Sequence, residues 1–463
     1  SSTSSSLVPR ISTQFTLSGS PRPSAWSIVS RTFGSASRRV SVLNFSRSSV
    51  SSETLRRSSP AACSAGAESY PLRPTLAVAP SGGGSQAGGS ALKVEALSLA
   101  GLVFSIRRGG RPTDPGFVDS LAPHVFAAAG DKYYKVAAEA LRACRALVPV
   151  VASDARSHAA ALAEAALSRV GATDQDQEVK DAAISCAGEA AARLGDVMGA
   201  DLKRCLGLLL DRLKNEITRL AAVKAIASVA KSELRLDMGD YAATAAAQLA
   251  GFLRKTNRPL RQASLAALEA LVSKHRGSLS DAEVTAAVVE AAALVTDGDL
   301  AIAGSALSLA ASSVSFPSAA AAVCERVLPA ALELVRSPLM QSHALHALTS
   351  FFAALVAANL PAVKADDLLE RLMDGRSGAG GAGAGLEMKA EGEAAAVAGR
   401  TAAVCVAAVC AGVNDAKHTS ATAAALVKQL GDPASLSEKD LLALFCLGEL
   451  GKAGDLSAVA GVE

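Results

Sequence analysis

The chain has 463 residues, half of them apolar but only 3% aromatic, with a formal net charge of +3. So few rings exclude a compact core built on Phe, Tyr and Trp, and the wealth of alanine and leucine favours helix over strand. The charge hides a split. Residues 1–90 hold nine arginines and no lysine against Glu53 and Glu68, about +7, which leaves the rest of the chain near −4. A mildly acidic body disfavours general nucleic-acid binding.

Residues 1–90 are rich in Ser, Arg, Pro and Gly and close on SGGGSQAGGS. Such a segment buries too little surface to offset chain entropy, so it is expected to be a disordered leader. Arg-rich, Ser-rich and acid-poor composition also describes an organelle transit peptide, and both readings stay open.

From Ala91 onward the apolar pattern is helical, and it repeats. Asp131, Asp176, Asn215, Asn257, Asp299 and Ser337 each stand where an N-cap is needed. Three residues on comes Tyr134, Val179, Thr218, Leu260, Ile302 or Met340. Four on, the residue is basic in four of six copies (Lys135, Lys180, Arg219 and Arg261). Seven on it is small, Ala or Ser. The starts lie 38 to 45 residues apart, close to the ~40–47 period of HEAT and armadillo arrays. Each start follows another apolar helix, so the unit is a helical hairpin whose second helix begins at the frame. A hairpin cannot bury its own face, but a stack of hairpins shares one core. The small residue seven on lets paired helices approach, and the basic residue four on is expected to reach toward the next repeat. The fold class expected for residues 91–463 is therefore all-α, a HEAT-repeat α-solenoid of about eight or nine antiparallel helix pairs. A weaker copy of the frame begins at Ser437. The Gly-rich stretch at 375–385 is expected to be a flexible loop.

Chemistry is sparse. Cys63, Cys144, Cys186, Cys205, Cys324, Cys405, Cys410 and Cys446 form no CxxC pair, and most fall on apolar helix faces, as buried reduced thiols do. His343 and His346 can share a helix face but have no further ligand at metal spacing. The glycines of 375–385 follow no strand and precede no GK[ST], so they make a poor phosphate loop. Asp366 and Asp367 fall at a helix end. No nucleophile–base spacing stands out, and neither catalysis, a cofactor nor a small-molecule substrate is expected. No run reaches the ~18–20 apolar residues of a membrane span. Residues 392–413 come nearest and are interrupted by Arg400. One charge pattern remains: Lys214, Arg254, Lys255, Arg258 and Arg336 all fall at turns between the two helices of a hairpin. They read either as a basic stripe for an acidic protein surface or as cations complementing helix dipoles.

Several strings go beyond a generic repeat. LKVEALSLAGLV, GDKYYKVAAEAL, DQEVKDAAISC, RLKNEITRLAAVKAI, FLRKTNRPLR, LVRSPLMQSHAL and LLALFCLGELG occur in that order. Over roughly residues 91–463 the chain closely resembles the middle of the cullin-associated, neddylation-dissociated proteins. The resemblance implies a long HEAT solenoid that wraps a cullin–RING complex lacking its ubiquitin-like modifier and exchanges substrate-receptor adaptors, without catalysis. It also implies residence in cytoplasm and nucleus. The repeats that family carries before and after this middle section, including the adaptor-displacing hairpin, have no counterpart here. The other reading is an organellar or nuclear HEAT adaptor with unrelated cargo, should residues 1–90 be an import signal.

Overall fold

The computed structural model describes residues 86–107, 115–172, 176–234, 236–374, 393–430, 438–457 and 459. Most of residues 1–90, the Gly-rich stretch 375–385 and Ser437 lie outside these. Every regular element among the described residues is helical. In chain order they are α1 (Gln86–Arg107), α2 (Pro115–Ala128), α3 (Tyr134–Asp154), α4 (Ala159–Gly171), α5 (Gln177–Leu194), α6 (Ala200–Lys214), α7 (Glu216–Ala230), α8 (Asp240–Phe252) and α9 (Arg258–Lys274). There follow α10 (Asp281–Ala292), α11 (Leu300–Ser313), α12 (Pro317–Ala322), α13 (Leu328–Val335), α14 (Ser342–Ala357), α15 (Ala365–Asp374), α16 (Glu393–Val413), α17 (Ala416–Gln429) and α18 (Glu438–Ala453). A π-helical turn, Val323–Val327, joins α12 and α13. Helix α1 starts at Gln86, a few residues inside the stretch read as leader.

The helices form two rows. Second helices stack as α1, α3, α5, α7, α9, α11, α14, α16 and α18, each packed on the next. The first helices are α2, α4, α6, α8, α10, α12 with α13, α15 and α17, and they make the other row, with sparser contacts. The all-α solenoid of antiparallel pairs is thus the architecture, with eight pairs after α1. The closer row depends on small side chains. A Cβ added to Gly188 of α5 would lie 2.6 Å from the Ala225 Cβ of α7. Gly412 of α16 sits as tightly on the backbone of Ala353 in α14. Ala222 of α7 is fully buried, as are the small frame residues Ala183, Ser264 and Ala306. An alanine-rich face is what lets neighbouring backbones approach this closely.

Four of the six frame starts are caps. Asp176, Asn215, Asn257 and Asp299 accept from the backbone N–H of Glu178, Ile217, Leu260 and Ile302. They satisfy donors that a helix start leaves orphaned. Two starts are misplaced. Tyr133 is the N-cap residue of α3, and Asp131 instead accepts from the Tyr133 N–H and from Lys93 of the preceding repeat. Ser337 lies in a turn that buries Met340, and α14 begins only after Gln341. Aspartate and serine form such turns as readily as caps. The basic residue four on also acts differently than expected. Arg219 donates to the carbonyls of Leu213 and Lys214, and Arg261 to that of Lys255. Arg219 thus satisfies the last carbonyls of its own hairpin's first helix, and Arg261 bonds back to the turn that follows it.

At the opposite edge the chain passes from one pair to the next through a buried apolar residue. Met198, Met238, Leu279 and Phe316 recur at nearly the repeat period and plug the turn. The glycines after the two methionines, Gly199 and Gly239, have φ of 55° and 46°. That left-handed conformation favours glycine.

Two helices contain a window long and apolar enough, by composition alone, to cross a membrane: Gly89–Ile106 and Ala396–Val413. Neither is an unbroken apolar run: Lys93 and Glu95 interrupt the first, and Arg400 interrupts the second, which lies within the 392–413 stretch singled out in the sequence. Helix α16 is walled by α14 and α18, and Arg400 lies over the Phe445 ring at 5.7 Å.

Candidate protein-binding edge

Turns inside the hairpins line one edge of the stack, and all five cations singled out in the sequence are there. Lys214 ends α6 and pairs with Asp211 at 2.8 Å. Arg254 and Lys255 follow the C-cap of α8, and Arg336 is the C-cap of α13. Arg258 opens α9, the wrong end for a helix-dipole complement. Two of these residues reach the next repeat: Arg254 Nε donates to Glu290 at 2.7 Å and Arg258 Nη2 to Asp299 at 3.0 Å. These hydrogen bonds hold the carboxyls of Glu290 and Asp299 below their usual range, and Lys214 does the same to Asp211. Arg336 stands 3.9 Å from Glu333. Lys255 is exposed. The edge is therefore a ladder of paired charges.

Charge pairs at the repeat spacing also occur elsewhere, those of Arg156, Arg204 and Lys274 at the opposite edge, where one pair passes to the next. Lys93 bonds Asp131, Arg142 bonds Glu178, Arg156 bonds Asp196, Arg204 bonds Glu164 and Lys274 bonds Glu233, each across 36 to 41 residues. Exposed pairs of this kind add only ~0–1 kcal/mol each.

Between the charges stand large apolar residues that sequence reasoning missed. The residue two after each frame start projects from the edge. In pairs one, three and six it is Tyr133, Ile217 and Leu339, which are 39%, 60% and 56% exposed. Tyr134, also exposed, lies edge-on to Tyr133 at 5.4 Å, with the Lys135 ammonium 5.8 Å from its ring. The signal was present in the frame, at a position not inspected for side-chain size. Aromatic and aliphatic side chains set among paired charges are what protein interfaces use as anchors.

Other chemistry is thin. A cleft of about 630 Å³ between α15, α17 and α18 has Leu369, Leu426 and Ala443 in its wall and Asp366, Glu370 and His418 among its polar residues. His418 Nε2 lies 3.0 Å from Asp366 Oδ1, and the hydroxyl of Thr422, also in the lining, donates to the His418 backbone carbonyl. Among the described residues no group of three His, Cys, Asp or Glu could hold a metal ion. His343 instead lies over Gly304 of α11. The thiols of Cys144, Cys205 and Cys446 are pushed up to about 12 by burial, and those of Cys186 and Cys405 also rise. These are inert packing groups.

Comparison with known proteins gives the family. A family model described as CAND1-like, TPR repeats matches residues 73–187. Cullin-associated NEDD8-dissociated protein 1 of Arabidopsis thaliana is 38% identical over 387 residues, covering 81% of this chain and 30% of the relative. Cullin-associated NEDD8-dissociated protein 2 of Mus musculus is 37% identical over 377 residues, covering 78% and 29%. The Drosophila melanogaster protein 1 is 34% identical over 296 residues, covering 61% and 24%. The chain thus spans less than a third of the length of these relatives. Its similarity extends through most of the repeat stack, and the chain belongs to the cullin-associated NEDD8-dissociated protein family.

Proposed function

We propose that the chain is a non-catalytic scaffold that binds a cullin–RING ubiquitin ligase core lacking the ubiquitin-like modifier. In this reading it holds that core while substrate receptors exchange. The observation that carries this reading is the 38% identity to a cullin-associated protein across 81% of the chain. The geometry fits it: the stack presents Tyr133, Tyr134, Ile217 and Leu339 along one edge, suited to contacts spread over a long partner. A section of a distributed interface binds weakly alone, because each part acts on the others through effective concentration. Cytoplasm and nucleus are the proposed location, to be checked with a fluorescent fusion of the whole chain. Calorimetry with a purified cullin–RING complex tests the function. Weak binding to the unmodified complex, at least tenfold weaker binding to the modified one, and no adaptor displacement are expected. Absence of binding by both this chain and a full-length relative would overturn the reading.

A further inference from the structure

Among the described residues three besides glycine take a positive φ. Asn359 and Asn414, at 49° and 54°, stand just past the ends of α14 and α16. Asparagine tolerates that conformation, and a helix end is its usual place. Ser342, at 51°, differs, because it stands where α14 begins and serine has no such tolerance.

The packing on either side enforces this conformation. Met340 is buried, at the position three after Ser337 that Thr218, Leu260 and Ile302 fill in other pairs. Beyond the serine, His343 lies so close to α11 that a Cβ on Gly304 would come within 2.9 Å of its Nδ1. Gln341 is fully extended, with φ −162° and ψ 168°. Ser342 therefore turns the chain into the helix. Strain held in place by its surroundings points to a use for the turn that it closes.

That turn, residues 336–341, carries Leu339 at 56% exposure. The Ser337 hydroxyl accepts from the Leu339 N–H at 3.3 Å, and the Ser337 carbonyl accepts from the Met340 N–H at 3.3 Å. Pro338, exposed beside Leu339, has its φ fixed by its ring. Ile217 is carried differently, on the first turn of α7, after a hairpin turn of the single residue Asn215. A loop already arranged for docking loses little freedom when it docks. Leucine offers no polar side-chain atom, so the surface that receives it is an apolar pocket. We propose, resting on the cullin reading above, that the turn at 336–341 is a preformed knob that seats Leu339 in an apolar pocket of the cullin–RING core, with Ser342 as its positioning residue.

Interferometry of the whole chain against an immobilised, unmodified cullin–RING complex tests this. Leu339→Ser should bind about fivefold more weakly than wild type. Ser342→Gly should bind as wild type does and melt at a higher temperature, since glycine takes a positive φ without strain. Ser342→Val cannot keep that φ and should lose as much affinity as Leu339→Ser. The double variant should be no weaker than either single one, because the two residues act through one contact. Should Ser342→Val fail to fold, Pro338→Gly frees the loop without touching the core and takes its place in the same cycle. Leu339→Ser with wild-type affinity would overturn the proposal and leave the cullin reading standing. Losses that add in the double variant would overturn the positioning role of Ser342. A wild-type chain without binding would overturn the proposal as well, and a full-length relative run alongside shows whether the cullin reading falls with it.

Discussion

At the residue scale, the closeness of neighbouring backbones decides the sign of small changes. Gly188→Ala places a Cβ 2.6 Å from one atom and 2.8 Å from a backbone atom of Ala225. It should cost about 1–3 kcal/mol through overpacking. Gly207→Ala, within α6, meets only the Tyr241 ring at 3.8 Å. It should stabilise by roughly 0.5–1 kcal/mol, because glycine is a poor helix residue. Urea melts of the two variants should move in opposite directions. Ala222→Leu belongs with the first, at about 1–3 kcal/mol. The sequence showed Ala222 as a seam residue through its place in the frame. Gly188 could not be read so, because only the neighbouring helix reveals that its missing Cβ is needed. Thiol chemistry offers an independent check. In a Cys63→Ser chain at mild alkaline pH, half-buried Cys324 should be labelled first. Cys144, Cys186, Cys205, Cys405 and Cys446 should react only on unfolding.

At the scale of single helices, caps are the legible part of the fold. Asn215→Ala and Asn257→Ala should each cost about 0.5–2 kcal/mol, measured by denaturant melts. Asp299 combines a cap with the Arg258 pair, and its carboxyl is held below the usual range by Arg258 first and by the Ile302 N–H after. A depressed carboxyl pKa adds stability above the unfolded-state value, and that stability is lost as pH falls through the folded one. Wild type should therefore lose more melting temperature than Asp299→Asn on going from pH 5 to pH 3. Four caps could be read from sequence because the spacing of a short polar cap residue from the first buried residue, three on, is local. Asp131 and Ser337 fit the same spacing yet sit in turns, since the choice between turn and cap depends on what packs beneath. The Met198 and Met238 plugs repeat at 40 residues and were legible in principle. They were overlooked because the frame was built on the hairpin's polar end.

At the scale of the whole molecule, the two-row stack is what a period of about 40 residues, few aromatics and abundant alanine together require. The candidate edge was only half legible. Lys214, Arg254, Lys255, Arg258 and Arg336 were visible as a cluster of cations, but the acidic partners of Arg254 and Arg258, Glu290 and Asp299, lie a repeat away and appear only on folding. Reversing Arg254, Lys255 and Arg258 to Glu should thus disturb the Glu290 and Asp299 pairs as well as any contact with a partner, which makes that variant ambiguous. The exposed anchors avoid the difficulty because Tyr134, Ile217 and Leu339 contribute little to the core. The most direct measurement is interferometry of an immobilised, unmodified cullin–RING complex against this chain and its Tyr134→Ala, Ile217→Ser, Leu339→Ser triple variant. The wild-type chain should bind weakly, and the triple variant at least tenfold more weakly at unchanged thermal stability. Equal affinity of the two would contradict the proposal that this edge faces the cullin.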